Sequence, residues 1–272
     1  MSEDGLVPVP ERKRDTLATV IPIAVGILAI VLWEVLVKVR GIPEYIIPAP
    51  TRIAQTLWQQ WPDLWGATLF TLKITFWSLA IAIVLSVLFA VAFALSRWVE
   101  MSLFPFAVVL QVTPIVAIAP LILIYAPSTT VALLICATLV AFFPLLSNTV
   151  IGLRSADHNL SDLFTLYRAS LWQRLRYLLI PSALPYFMAG LKIAGGLSLI
   201  GAVVAEFTAG AAGRETGLAS RILEASFRTQ IPRMFAALVL VSLCGIAIFL
   251  FFNWLSRFVL GSWHESELQR DR

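Results

Sequence analysis

The sequence predicts an all-α membrane protein with six transmembrane helices. Hydrophobic residues make up 59% of the 272 residues, charged residues only 13%, and the mean hydropathy is +0.87. A soluble domain of this composition is not expected. Six apolar segments are also long enough to cross the hydrocarbon core, which takes roughly 20 helical residues. The predicted spans are residues 17–37, 68–95, 101–125, 130–151, 186–209 and 234–256.

One membrane domain, residues 17–258, is expected between an N-terminal tail (1–16) and a C-terminal tail (259–272). The basic cluster Arg12-Lys13-Arg14 precedes the first span, which is longer than the apolar core of a signal peptide and is therefore predicted to be retained. Glu34, near the end of this span, is expected to face protein or water because a carboxylate in lipid is costly.

The segment from 38 to 67 is predicted to lie outside, at the membrane surface. Its prolines favour an extended start, and its tryptophans favour the headgroup level. The third span then contains three prolines together with Gln111 and Thr113. Backbone groups freed by prolines need protein or water as partners, so this span is predicted to border a transport pathway.

A polar insert, residues 154–185, separates the fourth and fifth spans. Leu160, Phe164 and Tyr167 recur with helical spacing, which predicts short amphipathic helices at the membrane surface. Pro181 and Pro185 are predicted to bracket a turn, with a new helix beginning near Pro185. Periodicity alone also allows a helix that simply lies on the lipid.

The fifth span carries small residues every four positions, at Ala194, Ser198 and Ala202. This pattern lets membrane helices approach closely, either within one chain or between two copies. Glu206 follows near the outer end and is predicted to face a cavity. Together with Gln111, Thr113 and Ser198, it forms the predicted lining of the pathway. Residues 218–227 are expected to form a short external helix.

Basic residues predict the orientation of the chain. Eleven lie in segments on the side of the termini and of the 154–185 insert, and seven lie on the other side. The positive-inside rule therefore places both termini and the insert in the cytoplasm. The net charge of +4 is explained in this way, and no nucleic acid partner is expected.

Several kinds of site are not expected. Cys136 and Cys244 lie in apolar spans, while His158 and His264 are far apart in polar segments, so no metal or other cofactor is predicted. The sequence has neither a Gly-x-x-x-x-Gly-Lys-Ser/Thr phosphate loop nor an intramembrane hydrolase constellation. The protein is therefore predicted not to be an enzyme.

Three segments and one short motif carry a family resemblance. Residues 169–185, 189–196 and 203–207, with Pro48-Ala-Pro-Thr51, resemble the permease subunit of bacterial ATP-binding-cassette (ABC) importers. The branch is the one that imports nitrate, sulfonates, taurine and pyrimidine precursors, and the resemblance runs from about Trp33 to Trp263.

The resemblance implies that the 154–185 insert holds a coupling helix that sits in a groove of an ATPase. The family pattern there is Glu-Ala-Ala, three residues, Gly, nine residues, Ile-x-Leu-Pro. With Pro181 as its proline, Arg168 replaces the glycine, and residues 162–164 replace Glu-Ala-Ala. The implied ATPase-coupling residues are Asp162, Leu163, Phe164, Arg168, Ala169, Ser170, Leu171, Trp172, Gln173, Arg174, Leu178, Ile180 and Pro181.

The resemblance also implies partners and a location. They are two ATP-binding cassette ATPase subunits, a second permease subunit (identical or homologous), a periplasmic or lipid-anchored solute-binding protein, and the lipid of the bacterial inner membrane. A secondary transporter or channel is the alternative, although such proteins usually show inverted repeats and ionisable groups near the midplane. Sulfonate, nitrate, an aromatic acid, riboflavin and a thiamine-type pyrimidine all remain open as the solute.

Overall fold

The computed structural model describes residues 16–210 and 216–261, and every regular element in these two ranges is a helix. The predicted tails up to residue 15 and from residue 262, with His264, lie outside the described residues. The helices are α1 (Thr16–Val39), α2 (Pro50–Gln59), α3 (Trp61–Leu95), α4 (Arg97–Val112), α5 (Ile115–Tyr125), α6 (Thr129–Arg154), α7 (His158–Leu166), α8 (Leu171–Arg174), α9 (Ile180–Ala209), α10 (Leu218–Phe227) and α11 (Ile231–Leu260).

Five helical segments are long and apolar enough to cross a membrane, namely Val20–Val39, α3, α6, Leu171–Ala209 and α11. The pair α4 and α5 would make a sixth span, but the two helices meet at 102°. The break follows from Pro114, which lacks an amide hydrogen and disfavours helical backbone at Thr113. The predicted class, an all-α membrane protein, is confirmed with five to six spans.

The predicted turn between Pro181 and Pro185 is wrong. Helical structure continues from Leu171 to Ala209, and Pro185 lies inside α9. A π-helical turn, Leu175–Leu179, immediately precedes Ile180 and Pro181. The wider π turn accommodates a proline whose ring and missing donor would disturb a regular α-helix, so the chain passes through without a break.

Helix α9 packs most extensively against α6 and also contacts α3, α11, α5 and α10. Ala194, Ser198 and Ala202 are all fully buried. A Cβ added at Gly201 would lie 2.9 Å from the Cα of Ala137 in α6, so the two backbones approach closely there. The Ser198 hydroxyl donates to the Thr75 carbonyl of α3 at 3.2 Å. Of the two uses left open by the sequence, the small-residue repeat therefore serves packing within the chain.

Helix α1 stands largely apart from the other helices, and most of its side chains are more than half exposed. It is attached near its C-terminal end through Glu34. The Glu34 carboxylate accepts from the backbone N–H of Thr51 at 3.0 Å and from the Thr51 hydroxyl at 2.7 Å, while Lys38 pairs with it at 2.6 Å. As predicted, Glu34 faces protein, and it caps the first turn of α2.

Candidate functional site

The bundle has two polar ends that differ in construction. One end, here called the α7 end, contains α7, α8 and the C-terminal turns of α3, α6 and α11. The other, here called the α10 end, contains α2, α10 and the N-terminal turns of α3 and α11. The predicted coupling residues all lie at the α7 end.

Helix α7 begins with a side-chain cap. The Asp157 carboxylate accepts from the backbone N–H groups of Asn159 at 2.7 Å and Leu160 at 3.2 Å. Such a cap supplies about 1 kcal/mol to a short helix. None of the residues of α7 is fully buried, and Leu166 at its end is 80% exposed. The helix therefore presents an apolar surface that nothing in the described chain covers.

The turn after α7 has the geometry for which glycine is usually selected. Arg168 adopts a φ of +52°, in the left-handed region. Its N–H donates to the Thr165 carbonyl at 3.0 Å, and the Ala169 N–H donates to the Phe164 carbonyl at 2.9 Å. This pair of bonds forms a Schellman motif. The arginine in place of the motif glycine thus leaves a glycine-like backbone geometry in place, at a cost of about 1 kcal/mol.

Helix α8 begins with a capping box. The Ser170 hydroxyl accepts from the Gln173 N–H at 3.3 Å, and the Gln173 side chain accepts from the Ser170 N–H at 2.8 Å. Arg174 then donates to the Ser161 hydroxyl of α7 at 2.6 Å. The caps, the Schellman turn and this cross-link fix α7 relative to α8.

The predicted coupling residues divide by exposure. Those that lie exposed are Asp162, Leu163, Arg168, Ser170, Leu171, Trp172, Gln173 and Ile180, while Phe164, Ala169, Arg174 and Pro181 are half-buried. Leu178 is buried, and Leu175 in the same turn belongs to a buried cluster with residues of α3, α4 and α6. A groove of about 320 Å³ runs between α7 and α8, with Leu163, Phe164, Ala169 and Gln173 in its wall. The loop is anchored to the spans by Leu175 and open on its other side.

The structure does not bring the four predicted pathway residues together. Gln111 and Thr113 line a cavity of about 320 Å³ at the break between α4 and α5, with walls from α6 and Leu197 of α9. Ser198 is buried against α3, and Glu206 is only 1% exposed. These positions favour packing roles for Ser198 and Glu206.

Glu206 caps helix α10. Its Oε1 accepts from the Thr71 hydroxyl at 2.8 Å, and its Oε2 accepts from the Ala219 N–H at 3.0 Å. The Leu218 N–H donates to Thr71 Oγ1 at 2.9 Å. Two N–H groups of the first turn of α10 are thus satisfied by side chains from α3 and α9. A Cβ at Gly217 would overlap the Glu206 carboxylate, so a side chain there would displace that carboxylate from its partners.

An ion-pair network ties α10 to α3 and α11. Asp63 pairs with Arg221 and with Arg233, each at 2.7 Å, and Glu224 pairs with Arg221 at 3.0 Å and with Arg228 at 3.1 Å. The hydrogen bond from Arg221, with the charges of Arg233 and Arg228, lowers the pKa of Glu224 below its ordinary value. This network was not predicted from the sequence, although the spacing of Arg221, Glu224 and Arg228 places their charges on one helix face, where they can pair.

No group of three or more His, Cys, Asp or Glu side chains among residues 16–210 and 216–261 is arranged to hold a metal ion. Cys136 and Cys244 are both buried free thiols.

Comparison with known proteins gives consistent results. Residues 82–261 match the family described as binding-protein-dependent transport system inner membrane component. The chain is 32% identical to the riboflavin transport system permease protein of Chloroflexus aurantiacus over 88% of each chain. It is also 32% identical to the formylaminopyrimidine transport permease protein of Halalkalibacterium halodurans, over 81% of this chain and 86% of that one.

A solved structure shares the fold. An amino acid ABC transporter crystallised with histidines superposes with a TM-score of 0.60 at 15% identity, covering 75% of this chain and 96% of its own. The relatives are membrane-embedded transport subunits and not enzymes. The chain belongs to the family of binding-protein-dependent transport system inner membrane components, and it is a multi-pass permease subunit of an ABC importer.

Proposed function

We propose that this chain forms one half of the membrane channel of an ATP-driven importer and that α7 and α8 are the site where an ATPase subunit docks. The observation that carries the proposal is the exposed apolar surface at the α7 end. Leu166 and Tyr167 are each 80% exposed and Trp172 is 65% exposed, on helices fixed by caps. Large apolar groups on a rigid scaffold are typical of protein interfaces.

The mechanical link in this proposal is the continuous helix from Leu171 to Ala209. An ATPase that moves α7 and α8 would pull directly on α9, because no flexible joint separates α8 from α9. Helix α9 packs against α3 and α6, so its displacement would change the cavity that Gln111 and Thr113 line. We infer that this cavity belongs to the solute pathway.

The remaining partners follow from the same proposal. A second permease subunit would complete the channel, two ATPase subunits would bind at the α7 ends in the cytoplasm, and an external binding protein would deliver the solute to the α10 ends. The cavity wall is mostly apolar, which suits a small organic solute. Relatives of the chain include permeases of transport systems for riboflavin, formylaminopyrimidine and, by assignment, aliphatic sulfonates.

The test is to replace Trp172 and Arg174 together by alanine. We expect the variant to insert and fold, because Trp172 is exposed and Arg174 is only half-buried, but to lose ATP-dependent uptake in proteoliposomes at least tenfold. ATP hydrolysis should no longer depend on solute. Trp254→Ala is the control, since Trp254 is 61% exposed on α11 and outside the loop. Normal coupled uptake by the double variant, or ATP-independent uptake by the wild type, would refute the proposal.

A further inference from the structure

A cavity that carries unexplained charge lies at the α7 end, beside the predicted coupling loop. It measures about 800 Å³ and is open at the surface. Its polar wall contains three arginines, Arg97, Arg154 and Arg174, with His158 and a single carboxylate, Glu100. Arg154 pairs with Glu100. Among the described residues, no carboxylate pairs with Arg97 or Arg174, so the pocket keeps an excess of positive charge.

The inner part of the same cavity is apolar and belongs to the spans. Phe93 of α3, Met101 and Phe104 of α4, and Leu153 of α6 contribute to it. The basic groups lie at the ends of these helices, near Leu95, Arg97 and Arg154, and the ends of spanning helices are expected near the lipid headgroups. Trp98, adjacent to Arg97, is 81% exposed, as expected for a residue at that level. The cavity is thus basic at its rim and apolar below it.

We propose that this cavity binds an anionic phospholipid, with the phosphodiester at Arg97 and Arg174 and the start of an acyl chain against Phe104 and Met101. The charge of the rim is complementary to a phosphate group, and guanidinium groups match phosphate geometry well. The N-terminal turn of α4 lines the same pocket and adds the positive end of its helix dipole.

An acidic side chain of a partner protein would satisfy the rim but not the apolar part. Met101 and Phe104 lie about one and two helical turns along α4 from Arg97, and a lipid chain reaches that depth where a soluble subunit does not. Basic pockets between transmembrane helices are known to hold anionic headgroups on general electrostatic grounds. The lipid therefore explains both halves of the cavity, and the site does not depend on ATPase docking.

The test uses the full chain purified in detergent, titrated with dioleoylphosphatidylglycerol and followed by native mass spectrometry. Arg97→Gln should weaken binding about fivefold, the effect expected for one basic residue beside anionic lipid. Arg257→Gln removes the same charge from α11 at the same end, outside the pocket, and should leave binding within twofold. Arg97→Lys keeps the charge and should restore most of the affinity. Phosphatidylcholine should bind at least fivefold more weakly than phosphatidylglycerol to the wild type.

Three results would overturn the proposal. The first is equal weakening by Arg97→Gln and Arg257→Gln, which would indicate only a general charge effect. The second is Arg97-dependent binding of inorganic phosphate with no preference between the two lipids, which would indicate a site for a free anion. The third is unchanged lipid binding by Arg97→Gln together with loss of ATPase subunits from the intact transporter, which would indicate a protein occupant.

Discussion

The two polar ends of the bundle differ in how many of their charged side chains form ion pairs within the chain. At the α10 end, charged groups are paired inside the chain, with Asp63 held by two arginines and Glu206 accepting from Thr71 and Ala219. At the α7 end, short helices are rigid but leave large apolar side chains and unpaired arginines at the surface. Both ends expose large apolar side chains, Phe227 at the first and Leu166 at the second, so the contrast lies in the ion pairs that cross-link the α10 end.

Two glutamates in spanning helices illustrate how the α10 end is completed. Glu34 of α1 caps α2, and Glu206 of α9 caps α10. In each case a carboxylate near the end of a span satisfies the free N–H groups of a short helix at the membrane surface. A carboxylate in a span is often a sign of a transport pathway, but here two of them hold outer helices in place.

The largest loss of stability is expected from a substitution at Gly217, because an added Cβ would overlap the Glu206 carboxylate. Gly217→Ala would place a methyl group on the Glu206 carboxylate, and we expect a loss of about 2 kcal/mol in unfolding free energy, typical of overpacking. Thermal unfolding in detergent measures it. Gly66→Ala on α3 is the control, because nothing lies within 4 Å of its added Cβ. Equal stability of the two variants would contradict the assignment of a tight cap.

The next largest effect is expected for Glu206→Gln. Both carboxylate oxygens accept hydrogen bonds, and an amide would direct its NH₂ at a donor, which costs about 1.5 kcal/mol. Hydrogen exchange of the first turn of α10 should rise in this variant and stay normal in Glu44→Gln, whose side chain is exposed. Unchanged exchange, stability and uptake would remove any special role for Glu206.

A smaller change, and a gain rather than a loss of stability, is expected from a substitution at Arg168. Arg168→Gly should stabilise the coupling loop by about 1 kcal/mol or less, since glycine adopts the left-handed backbone without strain. Local protease resistance of the loop measures this, and Arg168→Ala serves as the control that removes the side chain but keeps the strain. A glycine variant that is less protected than the alanine variant would mean that the turn is not strained.

The smallest loss of stability is expected when the pH is lowered and Glu224 at the α10 end becomes protonated. The pKa of Glu224 is lowered from 4.5 on folding, so its pairing stabilises the protein above pH 4.5 and is lost as the pH falls through the lower folded value. Thermal unfolding between pH 6 and pH 3 should therefore decline more steeply in the wild type than in Glu224→Gln. Parallel declines would show that the network does not contribute.

Much of the fold was predictable because apolar length and composition determine it. A short helix was predicted at residues 218–227 and lies at Leu218–Phe227. The sequence indicated the helix break at Pro114 only through a cluster of prolines. The helix that continues through Pro181 was not predicted, because a π-helical turn has no clear sequence signal. Both errors concern how helices respond to proline.

The candidate site was less predictable, because its key contacts join distant parts of the chain. Thr71 and Glu206 are 135 residues apart, and no local pattern pairs them. The sequence predicted that Glu206 faces a cavity, whereas its carboxylate is buried against Thr71 and the first turn of α10. The coupling role of the 154–185 insert is a prediction from a family motif, and the structure adds that Arg168 has the backbone geometry expected of the motif glycine.

The central claim is that the α7 end, not the α10 end, contacts the ATPase. Single cysteines at two equally exposed positions test it most directly: Leu166→Cys, where the side chain is 80% exposed, and Phe227→Cys, where it is 81% exposed. Cysteine cross-linking in the intact transporter should join position 166 to an ATPase subunit and leave position 227 unlinked to it. Cross-linking of position 227 to the ATPase, or none from position 166, would contradict the account.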